Sequence, residues 1–157
     1  MRLQSNLGKF DKVVERQSLH GLVGGGLEDA ITNTHRWLKN GGVFCACEGM
    51  PWSKKVKQHN VDEMRLLEDR LVFSPEDIKI VMEKVGFKKI KYEIICVPNQ
   101  STRNWLRARG VNKITIENIL NMRRYAPDYW KKAYNAKVTK DDVIVDTPWF
   151  FIKGYKP

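Results

Sequence analysis

The chain has 157 residues, 42% of them hydrophobic and 29% charged, with 11 Gly and 6 Pro, which suits one domain with a sizeable core. The composition excludes collagen and intrinsic disorder, and no apolar run approaches the roughly 18 residues that a membrane helix needs. Net charge is +10 and unevenly spread: residues 1–100 carry 16 basic and 13 acidic side chains, whereas residues 101–157 carry 12 and 5. A basic C-terminal third fits nucleic acid, an anionic metabolite or an acidic protein, and it also fits a plain solvated face.

The first residues, Met1 to Asn6, lead to Lys9 and Asp11 without the apolar stretch of a secretory signal, and three cysteines form no disulfide framework. A cytoplasmic protein is the expectation. The motif Phe10-Asp11-Lys12-Val13-Val14-Glu15 reads as a short strand with a polar exit through Glu15, Arg16 and Gln17. After Gly24-Gly25-Gly26, the positions Leu27, Ala30, Ile31, Thr34 and Leu38 recur at helical spacing, and Asn40-Gly41-Gly42 is the expected stop. The run Val43-Phe44-Cys45-Ala46-Cys47 predicts a strand buried on both faces, with Cys45 and Cys47 on one side of it. Strand, helix and strand in this order imply a parallel crossover that brings Glu15 to Gln17 and Glu48 to Met50 to one sheet edge.

Residues 52–70 are strongly charged with a sparse stripe of Val61, Met64 and Leu67, as in a surface helix or lid. Ser74-Pro75-Glu76-Asp77 marks a helix start, Ile78, Val81, Met82 and Val85 its buried side, and Gly86 its end. Residues 87–97 form the next expected strand, with Phe87, Ile90, Tyr92, Ile94 and Cys96 packed and Pro98 ending it. Residues 101–135 read as short helices in which aromatics pack inward and Arg123 and Arg124 are solvated. Lys140-Asp141-Asp142 reads as a turn before Val143-Ile144-Val145 and Trp149-Phe150-Phe151-Ile152, with Pro148 marking a bulge or a late ladder start. The cysteines are expected to be buried thiols. His20, His35 and His59 fall in no ligand spacing, so no metal site is expected.

The order of these motifs resembles class I S-adenosylmethionine-dependent methyltransferases. Phe10-Asp11-Lys12-Val13-Val14 through Leu19-His20 is similar to that family's fourth strand and its exit, and Leu38-Lys39-Asn40-Gly41-Gly42 is similar to the approach to its fifth, with Asn40 where Pro is usual. Ser74 through Phe87 resembles the last helix leading to the sixth strand, and the helices from Ser101 resemble an insertion before the seventh. The resemblance implies an α/β fold, a partial Rossmann-like sheet of the fourth to seventh strands, in one partial domain over 1–157 with a basic helical insertion at 101–140. No Gly-x-Gly-x-Gly turn precedes Phe10.

On this resemblance S-adenosylmethionine is the implied cofactor, its binding by this chain alone is expected to be weak, and Glu15, Arg16 and Gln17 are its implied contacts. His20, Glu48, Met50 and Trp52 are the candidate substrate-binding residues, and no catalytic residue is assigned. The small polar exit at Arg16 and Gln17 replaces the Asn-Pro-Pro-aromatic sequence of base amino-methylating enzymes, which favours a small-molecule acceptor. Open alternatives are an inactive binding or assembly subunit and a nucleic-acid methyltransferase. The implied partners are a separate N-terminal half or a second copy, joined through the edge at residues 10–15.

Overall fold

The computed structural model describes residues 8–157, and the reading of residues 1–6 above lies outside them. Among the described residues no helix is long and apolar enough to cross a membrane. The elements are β1 (Phe10–Arg16), a 3-10 turn (Leu19–Gly21), α1 (Gly26–Trp37), β2 (Leu38–Gly49), α2 (Lys54–Met64), α3 (Pro75–Val85), β3 (Lys88–Ser101), α4 (Thr102–Ala108), α5 (Lys113–Arg124), α6 (Asp128–Ala133), β4 (Lys137–Val138) and β5 (Val143–Tyr155). The strand order is β1-β2-β5-β3, with β4 paired to β5. β1 and β2 are parallel, as a strand–helix–strand crossover requires, with Val14 opposite Cys45 and Arg16 opposite Cys47. Gly41 and Gly42 exchange backbone bonds with Lys156, and Met50 bonds to Pro148, so β5 runs antiparallel to β2.

The chain divides into two compact units. The first comprises the described residues up to Gly49, Phe73–Ile94 and Phe150–Pro157; the second comprises Met50–Val72 and Ile95–Trp149.

In the first unit α1 and α3 cover one side of the sheet, burying Ile31, Phe44, Ile78, Met82, Phe87 and Phe150. α3 starts where the sequence marks it: Ser74 and Asp77 form a reciprocal capping box, Pro75 stands at the first turn, and Gly86 closes the helix at φ 112°. Two features differ from the sequence reading. Leu38 ends α1 by turning into extended backbone, so Asn40-Gly41-Gly42 lies inside β2 and shifts the register between Phe10 and Lys12. Gly42 is needed there because a Cβ would stand 2.8 Å from the Lys39 carbonyl oxygen and 3.2 Å from that of Asp11. The second difference is exposure. Phe44 and Ala46 are buried, whereas on the other face Val43 and Cys45 are only partly so and Cys47 alone is buried, which means β2 is fully covered on one face and partly on the other. Tyr92, Ile94 and Cys96 are exposed in place of packed, and β3 continues through Pro98 to Ser101. Of the three thiols only Cys47 is buried.

The second unit has its own apolar core of Val56, Leu106, Ile116, Ile119, Leu120, Ala126, Trp130, Tyr134, Val143 and Val145. β5 passes through Pro148 without ending, and the two-residue β4 pairs with Ile144 and Val143. Contrary to the expectation of a solvated side chain, Arg123 is internal. Its Nε and Nη2 donate to Glu63 at 2.9 and 2.5 Å and its Nη1 to the Thr102 hydroxyl at 2.7 Å, while Thr102 donates to the Val143 carbonyl. The guanidinium lies over the rings of Trp105 and Trp130 at 5.7 and 5.9 Å. Arg124 is half-buried and donates to Asn121 and the Lys140 carbonyl.

Breaking one side of a buried, bidentate pair leaves an uncompensated charge, at a cost of about 3–5 kcal/mol, while replacing both by apolar residues removes that cost. Arg123→Leu is therefore expected to lower the unfolding free energy by about that amount in urea titration, and Arg123→Leu with Glu63→Leu to recover most of it. Equal losses in the single and double variants would show that the pair is not what holds α2 to α5.

Candidate functional site

The candidate site forms where β1 and β2 end side by side in the first unit. β1 stops at Arg16, and Gln17 continues the ladder by donating its N–H to the Cys47 carbonyl at 3.0 Å while taking φ 55°. A left-handed glutamine is an uncommon, strained backbone, and such outliers cluster at sites. The chain then turns through Ser18 into the 3-10 turn, burying Leu19 and placing His20 back toward β2.

Glu48, the last side chain of β2 before Gly49, is fully buried. Its Oε1 accepts the N–H groups of Leu19 at 2.9 Å and His20 at 3.3 Å, and its Oε2 lies 2.9 Å from His20 Nδ1. A carboxylate that takes two backbone donors and one imidazole fixes the turn and the ring together, and it places the ring proton on Nδ1. His20 Nε2 then carries the free lone pair and has no protein hydrogen-bond partner among the described residues. The His20 side chain is 12% exposed.

Glu15 joins the same turn from β1. Its Oε1 accepts from the Ser18 N–H, from the Ser18 hydroxyl at 2.8 Å and from the Leu19 N–H at 3.3 Å, so that the Leu19 amide is shared between two carboxylates. Glu15 Oε2 is buried and unpartnered among the described residues. Burial pushes the Glu15 carboxyl above its ordinary value; the Ser18 bonds oppose this and the charge of Glu48 adds to it. Burial also raises the Cys47 thiol, against the pull of Arg16, which leaves that sulfur a poor nucleophile.

The structure thus brings Glu15, His20 and Glu48 into one hydrogen-bonded group, with Arg16 and Gln17 at the same strand exit. Arg16 and Gln17 are exposed. Met50 and Trp52 belong to the second unit, where the Met50 N–H donates to the Pro148 carbonyl at 3.1 Å and Trp52 Nε1 to the Asp146 carbonyl at 3.0 Å. Ser18 and the Leu19 amide belong to the same group without being marked by any sequence motif. The only local signal was the spacing of Ser18 three residues after Glu15, within reach of a side-chain-to-backbone bond.

No protein-family model and no curated protein matches the chain. Solved structures do. The YcgJ protein from Bacillus subtilis superimposes with a TM-score of 0.81 at 16% identity, over 99% of this chain and 67% of that one. A Bacillus halodurans C-125 protein for which methyltransferase activity is proposed gives 0.78 at 14% identity, over 99% and 74%. A SAM-dependent methyltransferase from Thermotoga maritima gives 0.58 at 14%, over 99% and 60%. The chain has the class I methyltransferase fold. Within that methyltransferase fold, Glu15 and Glu48 sit at the C-terminal ends of adjacent parallel strands, the edge at which open α/β sheets carry their ligands.

The raised Glu15 carboxyl has a stability consequence with a defined sign. A carboxyl whose folded value lies above its unfolded value favours the folded state most at low pH, and that contribution is lost as pH rises through the folded value. Glu15→Gln keeps an acceptor for Ser18 and removes the charge. The variant is expected to melt at or above the parent temperature at pH 7, with the gap closing as pH falls toward the unperturbed range near about 4.3. Thermal unfolding from pH 4 to 8 reads this directly, and a variant less stable at pH 7 than at pH 4, relative to the parent, would contradict the burial argument.

Proposed function

We propose that this chain carries the acceptor side of an S-adenosylmethionine-dependent methyltransferase acting on a small molecule with a nucleophilic nitrogen or oxygen. The observation that carries the reading is the Glu48–His20 pair at the ends of parallel strands of a methyltransferase fold, with a second, unsatisfied carboxylate beside it. The residues fit the amino-acid end of the cofactor: Glu15 Oε2 is a buried acceptor lacking a donor, which suits the ammonium of a methionine moiety, and Arg16 and Gln17 flank it. When bound, S-adenosylmethionine supplies an electrophilic methyl on a sulfonium, with a neutral thioether as leaving group.

The chain's own chemistry is then proton management and alignment. His20 Nε2 takes the proton of the acceptor N–H or O–H, and Glu48 holds Nδ1–H and stabilises the imidazolium that results. Alignment of the nucleophile supplies the rest, since a sulfonium needs no acid to leave. Glu48 acts on the acceptor only through His20 and through the turn it anchors, which makes it a positioning residue.

The ribose and adenine ends call for a glycine turn and a strand-end acid that this sequence does not supply upstream of Phe10. β1 has β2 as its one neighbour in the described sheet, and Val14 on it is 74% exposed. We assign that edge to the cofactor-binding half of the domain, whether on another polypeptide or a further segment, with a second copy as the competing occupant. The same open edge also favours the second reading, an assembly subunit without activity of its own. Val14→Pro, which removes a β1 donor on the side away from β2, since the N–H of Gln17 three residues on faces Cys47, is expected to shift sedimentation of any such assembly toward the single chain; an unchanged profile would place the contact elsewhere.

Calorimetric titration with S-adenosylmethionine and transfer of a labelled methyl to a panel of amines and phenols test the chemistry. The chain alone is expected to bind with a constant of about 100 µM or weaker, about −5 kcal/mol, and Glu15→Ala to abolish the heat. Transfer, where the assembly supports it, is expected to fall about 10²–10⁴-fold in His20→Ala, the range of a lost general base. A constant of about 1 µM or tighter for the chain alone would show that the cofactor site is complete without a partner, and undiminished transfer by His20→Ala would remove the base from the mechanism.

A further inference from the structure

The sequence places its basic excess in the C-terminal third, but three of the twelve cations there are paired with carboxylates. Arg123 is paired with Glu63, Arg103 with Glu117 at 2.7 Å and Arg109 with Glu68 at 2.9 Å. A cluster of lysines with no acidic residue among its lining lies in the first unit. Lys88, Lys89, Lys91, Lys153 and Lys156, with Gly41, Tyr155 and Pro157, line an open groove of about 750 Å³ that no acidic side chain enters. Lys88, Lys89, Lys91 and Lys153 are exposed, and none of the four side chains makes an ion pair or hydrogen bond among the described residues. Only Lys156 is engaged, donating Nζ to the Leu38 carbonyl at 2.8 Å.

The backbone holds this arrangement. The bonds of Lys156 to Gly41 and Gly42 fix the end of β5 against the start of β2, and Gly154 packs so closely on Met82 that a Cβ would stand 2.6 Å from its methyl. Lys89, at the start of β3, takes φ 51°, a left-handed conformation that lysine seldom adopts. Gly41, at φ 79°, leaves its own backbone open, with nothing within 4 Å of where a Cβ would lie. Convergent like charges repel, and a bound polyanion relieves the repulsion by replacing many small counterions.

We propose that the lysine groove is a docking surface for the phosphodiester backbone of a nucleic acid. Two features favour this over an acidic protein. Lysine ammoniums are compact charges on flexible stems, suited to a repeating backbone of phosphates, and no arginine fork is present to read a particular carboxylate. The lining also offers one aromatic, Tyr155, on which a base can stack, and no second aromatic or arginine beside it of the kind that centres a protein interface. The groove lies at the start of β2 and the Glu15–Glu48 group at its end, about 23 Å away at the usual strand rise. A nucleic acid held there is tethered and not methylated at this groove, so the inference stands whether or not the proposed chemistry does.

Fluorescence anisotropy of the full chain with a labelled 20-nucleotide single-stranded RNA, the matching DNA strand and the duplex, from 50 to 300 mM salt, is the test. Binding is expected with log K falling against log salt with a slope of about −3 on a single strand, corresponding to about four phosphates neutralised. Lys89→Gln with Lys153→Gln is expected to weaken binding at least tenfold and to flatten the slope by about 1.4, with the melting temperature unchanged. Lys131→Gln with Lys132→Gln, in the second unit, is expected to leave both unchanged. RNA preference over DNA would identify the source; equal affinity would assign the shared backbone alone. Absence of binding to all three at about 100 mM salt, equal loss in the control variant, or polyglutamate binding as tightly as RNA would overturn the proposal.

Discussion

The site depends on one buried carboxylate. A fully buried glutamate is expensive unless donors surround it, and at the end of β2 the donors come from a turn that begins at the end of β1. Glu48 therefore does two things with one group. It satisfies backbone N–H groups that a short 3-10 turn leaves free, and it sets the tautomer of His20. The turn, the left-handed Gln17 that starts it and the position of the imidazole form one unit, held by Glu48 from β2, by Glu15 from β1 and by the Gln17 N–H on the Cys47 carbonyl. Glu15 is the contrast: it shares the Leu19 amide but keeps one oxygen buried and unsatisfied, so its strand end is held open to a donor that the described chain does not provide.

Local signals in the sequence were reliable where the physics is local. The Ser74-Pro75-Glu76-Asp77 start and the Gly86 stop are short-range hydrogen-bond chemistry, and they stand where the residues put them. The parallel crossover followed from the order of apolar runs. Which faces are covered is not a local property. Tyr92, Ile94 and Cys96 have the composition of packed strand residues, yet apolar character says nothing of whether a layer lies over them. Leu38 kept the helical spacing set by Ile31 and Thr34 while belonging to β2, since a single apolar residue fits either period and only the extended backbone after Trp37 decides. Among the site residues, Glu15, His20 and Glu48 were legible as chemistry-bearing groups at converging strand ends. Their bonding was not, because it requires the turn geometry that Gln17 sets.

Charge was the least legible property. Arg123 sits beside Ile119, Leu120 and Met122, on the border of the apolar stripe of α5, where helical periodicity allows either orientation. Its partner Glu63 is 60 residues earlier, and the ring faces of Trp105 and Trp130 come from two other elements. Such a pair is decided by tertiary packing alone. The excess of 12 basic over 5 acidic side chains in residues 101–157 therefore overstates what that stretch presents, since Glu63 and Glu68 pair with Arg123 and Arg109 from outside it, whereas the lysines of β3 and β5 line one groove with no acid in its lining.

A shared fold leaves the chemistry open, because activity resides in the groups placed on it. On the proposed reading, methyl transfer asks little of the acceptor side beyond a base and a held nucleophile, the roles assigned to His20 and, through it, to Glu48. Gripping a dinucleotide-like cofactor asks for close backbone approach at a glycine turn, a requirement that no side chain at Arg16 or Gln17 can replace. The two demands fall on different strands, and β1 is the strand that must stand between them. Its exposed Val14, its edge position in the described sheet and the unsatisfied Glu15 oxygen at its end are, on that reading, one condition seen three ways, a sheet edge whose remaining hydrogen bonds fall to the proposed cofactor side.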